Sequence, residues 1–452
     1  MRIAVPPGPA LPVLASLLLG IVWQSIVRTP EPESDALLYD WLASALSGHG
    51  EPGQDVRYAV DGMAIRGWTQ ASLMAATYVV AGPEPAAYAW MQAVVLLPAT
   101  TLLVYVAGRF AFGRAVGLVA AWGFALWFPL VYHTTWVMPE TTIGLVAAGS
   151  LALLAVAVAR ASVPAALGLG VVLGVLSLTH SAWQFAGLLT LVALAVHLLV
   201  FDRSNLRLAA YAGVGLIAIL GPYTVVQAAA DLPQMGQGGL GYGAGGGWTL
   251  WSGSRSTTDF LPIEDSFTVA NLNGPGGVVE MSRLLDAGEL EIDEHLAETI
   301  RAKAASPEAA TLQLTDGDFY DAALANLLDD PGAWPRKLEQ GLTTVFLPNV
   351  DLVFFAAPLE QTWFREPWRP LAKGVVVLLV LGLALLVVRR RDRLIMAVPV
   401  AAQTAVFLVA VPEHRYGYPL LSSVFLLASY AVVSLVCVVR RARAGSTASE
   451  TS

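Results

Sequence analysis

The sequence predicts an all-α polytopic membrane protein with about 10–11 transmembrane helices and a mixed segment outside the bilayer. Three observations carry this prediction. Hydrophobic residues make up 56% of the 452 positions and charged ones only 13%, with a mean hydropathy of +0.62, far from the about 25% charged residues of soluble domains. Apolar runs of spanning length recur along the chain. Arginines cluster in alternate short connections between those runs.

Taken in order, the runs lie near 11–27, 88–108, 115–132, 140–159, 163–180, 183–201, 208–229, 371–388, 394–411 and 417–439, each close to the length that crosses ~30 Å of hydrocarbon. The apolar segment at 68–82 is short for a span and reads as an interfacial helix. Arg2 precedes the first run as in a secretory leader, but WQSIVRTPEPE after it offers no small-x-small cleavage pattern, so 11–27 is read as the first span. With the N-terminus inside, Arg109 to Arg114, Arg160, Arg203 to Arg207, Arg389 to Arg393 and Arg440 to Arg443 all fall on the inner side, as the positive-inside rule requires. Of the 34 acidic residues only Asp202, Asp392 and Glu450 share that side.

This orientation divides the chain into four parts. Residues 1–229 form an N-terminal transmembrane module with a first outer loop at 28–87, 230–370 an outer loop region, 371–443 the last transmembrane helices and 444–452 an inner tail. In the outer region GLGYGAGGGWTLWSGSR reads as turn-rich, anchored by Trp248 and Trp251. Residues 280–304 read as short charged helices. DGDFYDAALANLL from Asp316 is an amphipathic helix that Asp330-Pro331 ends, and 333–346 reads as a helix lying along the membrane.

A net charge of −8 without Lys/Arg-rich aromatic stretches excludes a nucleic-acid binder. Cys437, the only cysteine, allows neither an intramolecular disulfide nor a cysteine metal site. There is no P-loop, strand–GxGxxG–helix, GxSxG or HExxH pattern.

Polar residues at the outer ends of spans are the candidates for chemistry, because ionisable groups at that depth are costly. They are Asp35, His133, Glu140, His180, Glu413, His414 and Arg415. Asp35, Leu38, Tyr39, Leu42 and Leu46 share one helical face, so a carboxylate would stand over an apolar stripe at the bilayer edge. A plainer reading also fits: Asp35 follows a possible N-cap, Ser34, and favours the positive end of the helix dipole. Interfacial anchoring is the corresponding plain reading of the others. No two of His133, His180 and His414 have helical ligand spacing, so no metal site is assigned.

Four passages together resemble the GT-C membrane glycosyltransferases, in the group of dolichyl-phosphate-mannose protein mannosyltransferases and aminoarabinose transferases. SDALLYDWLASAL is similar to the acidic first-loop motif, with Asp35 at the catalytic aspartate. HTTWVMPETTIGLVAAGSLALL is similar to the outer turn in which Pro-Glu opens the next helix. GGWTLWSGSRSTTDF with DGDFYDAALANLLDDPGAWPRKLEQGL resembles the outer-loop pattern, and PEHRYGYPLLSSVFLLASY the Arg-Tyr motif before the last helix. Two departures stand out: Thr179-His180-Ser181 replaces a basic residue and proline, and no second acid adjoins Asp35.

The resemblance implies transfer of a sugar, as a hexosyl or pentosyl group, from a polyprenyl- or dolichyl-phosphate donor to an acceptor hydroxyl on protein, lipid or glycan. It implies inversion, on the extracytoplasmic face of the plasma membrane. Asp35 would be the base, Arg415 with His414 would hold the donor phosphate, and Glu140, His180, Tyr39 and Trp248 would contact substrate. No cofactor is required, and assistance by a divalent metal stays open. The competing expectations are a membrane transporter not driven by nucleotide and a non-catalytic lipid- or glycan-binding membrane protein.

Overall fold

Hydrocarbon offers the backbone no hydrogen-bond partner, so an apolar run inside a bilayer must satisfy its own amides, and here it does so by coiling. The computed structural model describes residues 8–32, 35–50, 68–179, 183–229, 246–255, 264–346, 362–409 and 414–449, and every regular element among them is helical. In chain order the first group comprises α1 (Ala10–Ile26), α2 (Asp35–Leu46), α3 (Trp68–Ala81), α4 (Pro85–Phe112), α5 (Arg114–Ala125), α6 (Phe128–His133), α7 (Glu140–Arg160), α8 (Val163–Ser177), α9 (Gln184–Phe201) and α10 (Arg207–Ala229). A second group follows: α11 (Gly246–Ser252), α12 (Glu264–Leu272), α13 (Gly277–Ala287), α14 (Glu294–Ala304), α15 (Asp316–Asp329) and α16 (Trp334–Phe346). The chain then returns to the bundle with α17 (Thr362–Arg389), α18 (Val398–Val409) and α19 (Leu421–Ser449).

Among the described residues, five stretches are long and apolar enough to cross a bilayer: Pro85–Phe112, Glu140–Arg160, Arg203–Val225, Pro370–Arg389 and Gly417–Arg441. The chain is a membrane protein. Other expected spans are shorter apolar helices, including Ala10–Ile26, Arg114–Ala125 and Val163–Ser177. The run expected at 115–132 is broken after Ala125, where Leu126 and Trp127 leave helical geometry before Pro129 enters the first turn of α6. Pro129 has no amide to donate, and at the start of a helix none is needed.

Local signals set the helix ends. α7 begins with Glu140 in its first turn and ends with Arg160 in its last, charges that favour the two ends of its dipole. Ala161 then takes a left-handed conformation (φ 49°), and the Ser162 side chain caps α8 by accepting from the Ala165 amide at 3.3 Å. α8 and α10 approach backbone to backbone, since a Cβ on Gly170 would lie 1.8 Å from the Ala212 carbonyl oxygen and one on Gly215 2.2 Å from that of Leu167. Small residues permit such contact where lipid gives helices no hydrophobic reason to associate.

The arginine-bearing turns gather at one end of the bundle, where the Arg160 guanidinium sits 4.6 Å from the centre of the Phe110 ring. At the other end stand α2, α3, the turn between α6 and α7, and a 3-10 segment, His414–Leu420. Helices α11 to α15 pack around their own core of Trp251, Val269, Met281, Ile300 and Phe319. The glycine-rich opening expected to be turn-rich is helical over Gly246–Ser252, because the fully buried Trp251 docks on Phe319 and the Gly247 amide donates to Asp316 Oδ1 at 3.2 Å. α15 starts on a reciprocal capping box between Thr315 and Asp318. α16 packs against α18 and the 3-10 segment, which attaches this group to the loop-bearing end.

Candidate active site

The amphipathic pattern from Asp35 to Leu46 becomes α2, and its apolar face is covered by α3: Tyr39, Leu42 and Ala43 pack with Ala71, Met74, Tyr78, Tyr88 and Val137. The Tyr78 hydroxyl donates to the Asp40 carboxylate, which fastens the two helices. Burial pushes the Asp40 carboxyl up from its ordinary value, the Tyr78 hydrogen bond offsets part of that, and nearby Glu84 adds to the rise.

The N-terminal turn of α3 reaches the bundle through a fully buried node. Gln70 Oε1 lies 2.7 Å from the Tyr88 hydroxyl and 2.6 Å from the Thr142 hydroxyl, which are 2.8 Å from each other. α2 and α3 are thereby tied to α4 and to the first turn of α7, two residues from Glu140.

The turn before α7 is held from three sides. From α1, Gln24 Nε2 donates to Thr134 Oγ1 at 3.0 Å. From α4, Gln92 Nε2 donates to the Trp136 carbonyl at 2.7 Å and, more weakly, to that of Thr134 at 3.3 Å. Gln92 opens a π-helical turn, Gln92–Leu96, within α4, and that turn aims its amide inward. On the third side the Tyr418 ring stacks on His133, with centroids 4.6 Å apart and planes 24° apart. His133 Nε2 lies 3.3 Å from Glu140 Oε2, and both side chains are buried.

Among the expected site residues, Glu140 is therefore sealed beneath the loop-bearing end with His133 as a partner. Tyr39, 2% exposed, packs between α2 and α3. Trp248 is half-buried in the α11 group, and its indole donates to the Ser266 carbonyl at 3.1 Å. Asp35 is the first residue of α2, and His414 and Arg415 open the 3-10 segment that carries Tyr418. The side chains of these three, and all of His180 and Glu413, lie outside the described residues. The structure thus brings together the elements that carry Asp35, Glu140 and Arg415: α2 packs on Val137, Glu140 follows three residues later, and Tyr418 lies three residues beyond Arg415.

Sequence reasoning missed Asp40, Gln24, Gln70, Tyr88, Gln92, Thr142 and Tyr418. A glutamine inside an apolar run, as at 24 and 92, is a readable signal, because its amide needs an internal partner. The others became visible only through contacts distant in sequence. Among the described residues no three His, Cys, Asp or Glu side chains converge as metal ligands.

The fold of this membrane bundle is GT-C-like, as its likeness to solved structures shows. Solved structures supply the comparison. Oligosaccharyltransferase AglB from Archaeoglobus fulgidus, in complex with an inhibitory peptide and a dolichol-phosphate, matches over 97% of this chain and 52% of its own, at 12% identity and a TM-score of 0.51. The same archaeal enzyme tethered to an acceptor peptide containing the NVT sequon matches over 96% of this chain and 50% of its own, at 12% identity and a TM-score of 0.53. ArnT from Cupriavidus metallidurans bound to undecaprenyl phosphate covers 94% of this chain and 77% of its own, at 15% identity and a TM-score of 0.41. This chain spans about half the length of the archaeal enzyme. No family model and no curated protein matches the sequence.

Proposed function

We propose that this protein is a membrane glycosyltransferase that moves a hexosyl or pentosyl group from a polyprenyl-phosphate donor to an acceptor hydroxyl. The reaction takes place at the loop-bearing end, on the extracytoplasmic side of the plasma membrane. The observation that carries this reading is the convergence of α2, the 133–140 turn and the His414–Leu420 segment on one end of a GT-C bundle. The dolichol-phosphate held by the archaeal neighbour supports the class of donor.

In the proposed reaction Asp35 takes the proton from the acceptor hydroxyl as its oxygen attacks the anomeric carbon opposite the phosphate. The bond from that carbon to the phosphate oxygen breaks, its electron pair leaves with the lipid phosphate, and the anomeric configuration inverts. Arg415, assisted by His414, holds the departing phosphate by charge-assisted hydrogen bonds. His180 and Trp248 orient sugar and acceptor, while the buried Glu140 holds the turn before α7 through His133 and the buried Tyr39 contributes by seating α2. No cofactor is needed for these steps.

Asp35→Asn tests the reading with a labelled polyprenyl-phosphate sugar and reconstituted protein. Transfer should fall by about two to four orders of magnitude, the range of a lost general base, while donor binding persists. Unchanged transfer would remove Asp35 from the reaction. Adding a chelator in the same assay tests metal assistance, and mass spectrometry of the labelled product assigns the acceptor as protein, lipid or glycan.

A further inference from the structure

Helices α15 and α16 each leave a line of apolar side chains uncovered. On α15, Tyr320, Leu324 and Leu328 follow an i, i+4, i+8 spacing, with Leu324 57% and Leu328 69% exposed. On α16, Trp334, Leu338 and Leu342 repeat that spacing; both leucines are exposed and Trp334 is half-buried. Residues so spaced stack on one face of a helix. Beside this line α15 is anchored, since Phe319, Ala322 and Ala323 are buried in the α11–α15 core and Leu327 is buried as well. The short 3-10 turn Pro331–Ala333 folds α16 back, and the Trp334 indole donates to the Leu327 carbonyl at 3.2 Å. That bond sets Trp334 beside the last turn of α15, the turn that carries Leu328.

We propose that these two lines form a foot that lies in the interfacial layer of the bilayer, alongside the bundle. Its position points to lipid. α16 packs on α18 and on the 3-10 segment that leads into α19, so it rests where a span begins. The bundle nearby presents the same kind of surface, with Leu371, Val377 and Val380 of α17 exposed. Its chemistry points the same way. The lines are one side chain wide and bordered by exposed charges, Asp321 and Asp329 on α15 and Arg336 and Glu339 on α16. An amphipathic helix at the headgroup layer sinks its apolar face into the acyl boundary and keeps such charges wet. Tyr320 and Trp334 are the aromatic types that favour that layer. The foot requires only that the bundle sit in a bilayer, so its test is independent of sugar transfer.

The test uses the full chain in phosphatidylcholine/phosphatidylglycerol nanodiscs, with the exposed Cys437 replaced by serine. Nitroxide labels are placed singly at Leu324→Cys and Leu338→Cys, with Val380→Cys as a lipid-facing reference and Glu308→Cys as a water-facing one; all four positions are exposed. Collisions with dissolved oxygen report lipid, and collisions with a neutral nickel chelate report water. Labels at 324 and 338 should follow 380, with oxygen accessibility raised and chelate accessibility lost relative to 308. Behaviour like 308 at either position overturns the foot, because that line then faces water. Shielding from both reagents also overturns it, because a protein surface or a second copy then covers the face.

Discussion

At the turn 133–140 polar side chains point inward and bond to one another, whereas along α13 to α15 they stand outside a dry centre. Gln70 Oε1, Gln92 Nε2 and the hydroxyls of Tyr88, Thr134 and Thr142 are buried and bonded across four elements. In the other region Arg283 pairs with Glu280, Arg301 with Glu294 and His295 with Asp329, all on the exposed surface. A group that lipid or packing has stripped of water must find its partner inside the protein, and losing that partner leaves a desolvated dipole. A group at a wet surface exchanges its partner for solvent at little cost. The same residue types therefore fix geometry at one place and solubility at the other.

Substitutions can break or sharpen this contrast. The largest effect is expected in the dry centre of the α11–α15 group. Trp251→Ala removes a fully buried ring that contacts Phe319 and donates to Asp293, the residue that caps α14. It should cost about 3–5 kcal/mol, read as proteolytic cleavage between 246 and 346 while α4 to α8 stay protected. Next comes Tyr88→Phe, which keeps the ring but takes one hydroxyl from the Gln70–Thr142 node. A cost of about 1–3 kcal/mol in thermal unfolding in micelles is expected; a change near zero would show that the node is not needed to seat α3.

The His295–Asp329 pair should give a smaller, pH-dependent effect. The Asp329 hydrogen bond holds the His295 imidazole above its ordinary value of 6.5. Stability from the pair is therefore full below that value and lost as pH rises through the raised one. Because both side chains are more than a third exposed, Asp329→Asn should cost under about 1 kcal/mol at pH 5 and nothing by about pH 9. Melting curves at the two pH values check the sign. Smallest of all, Arg283→Ala should change stability by less than about 0.5 kcal/mol. A large loss there would erase the distinction between the two regions.

What could be read in advance follows the same division. Apolar runs announce helices because lipid leaves no alternative, and the ends at Glu140, Arg160, Asp316 and Pro331 carry their own signals in charge, cap or proline. The break at Leu126 was hidden because Trp127 and Phe128 are as apolar as the run they interrupt. Glu140 was visible as an acid at the mouth of a span. Its neighbour His133 stood out too, but their contact depends on how the intervening turn folds. Asp40 went unnoticed because it lies off the apolar face of α2, and its partner Tyr78 is 38 positions away. The Gln70–Tyr88–Thr142 node joins residues up to 72 apart, a separation that no periodicity reports.

The widened turn at Gln92–Leu96 sets a phase relation between the two halves of α4. Upstream of it Tyr88 meets Gln70, and downstream Val104 and Ala107 join the apolar cores. Winding the same residues as ordinary α-helix, with none removed, would swing everything upstream by about 100°. Tyr88 would then face away from Gln70, and both helices that lead up to it would lose their mooring. The extra residue held in that one turn keeps the mouth of the bundle in register with its shaft.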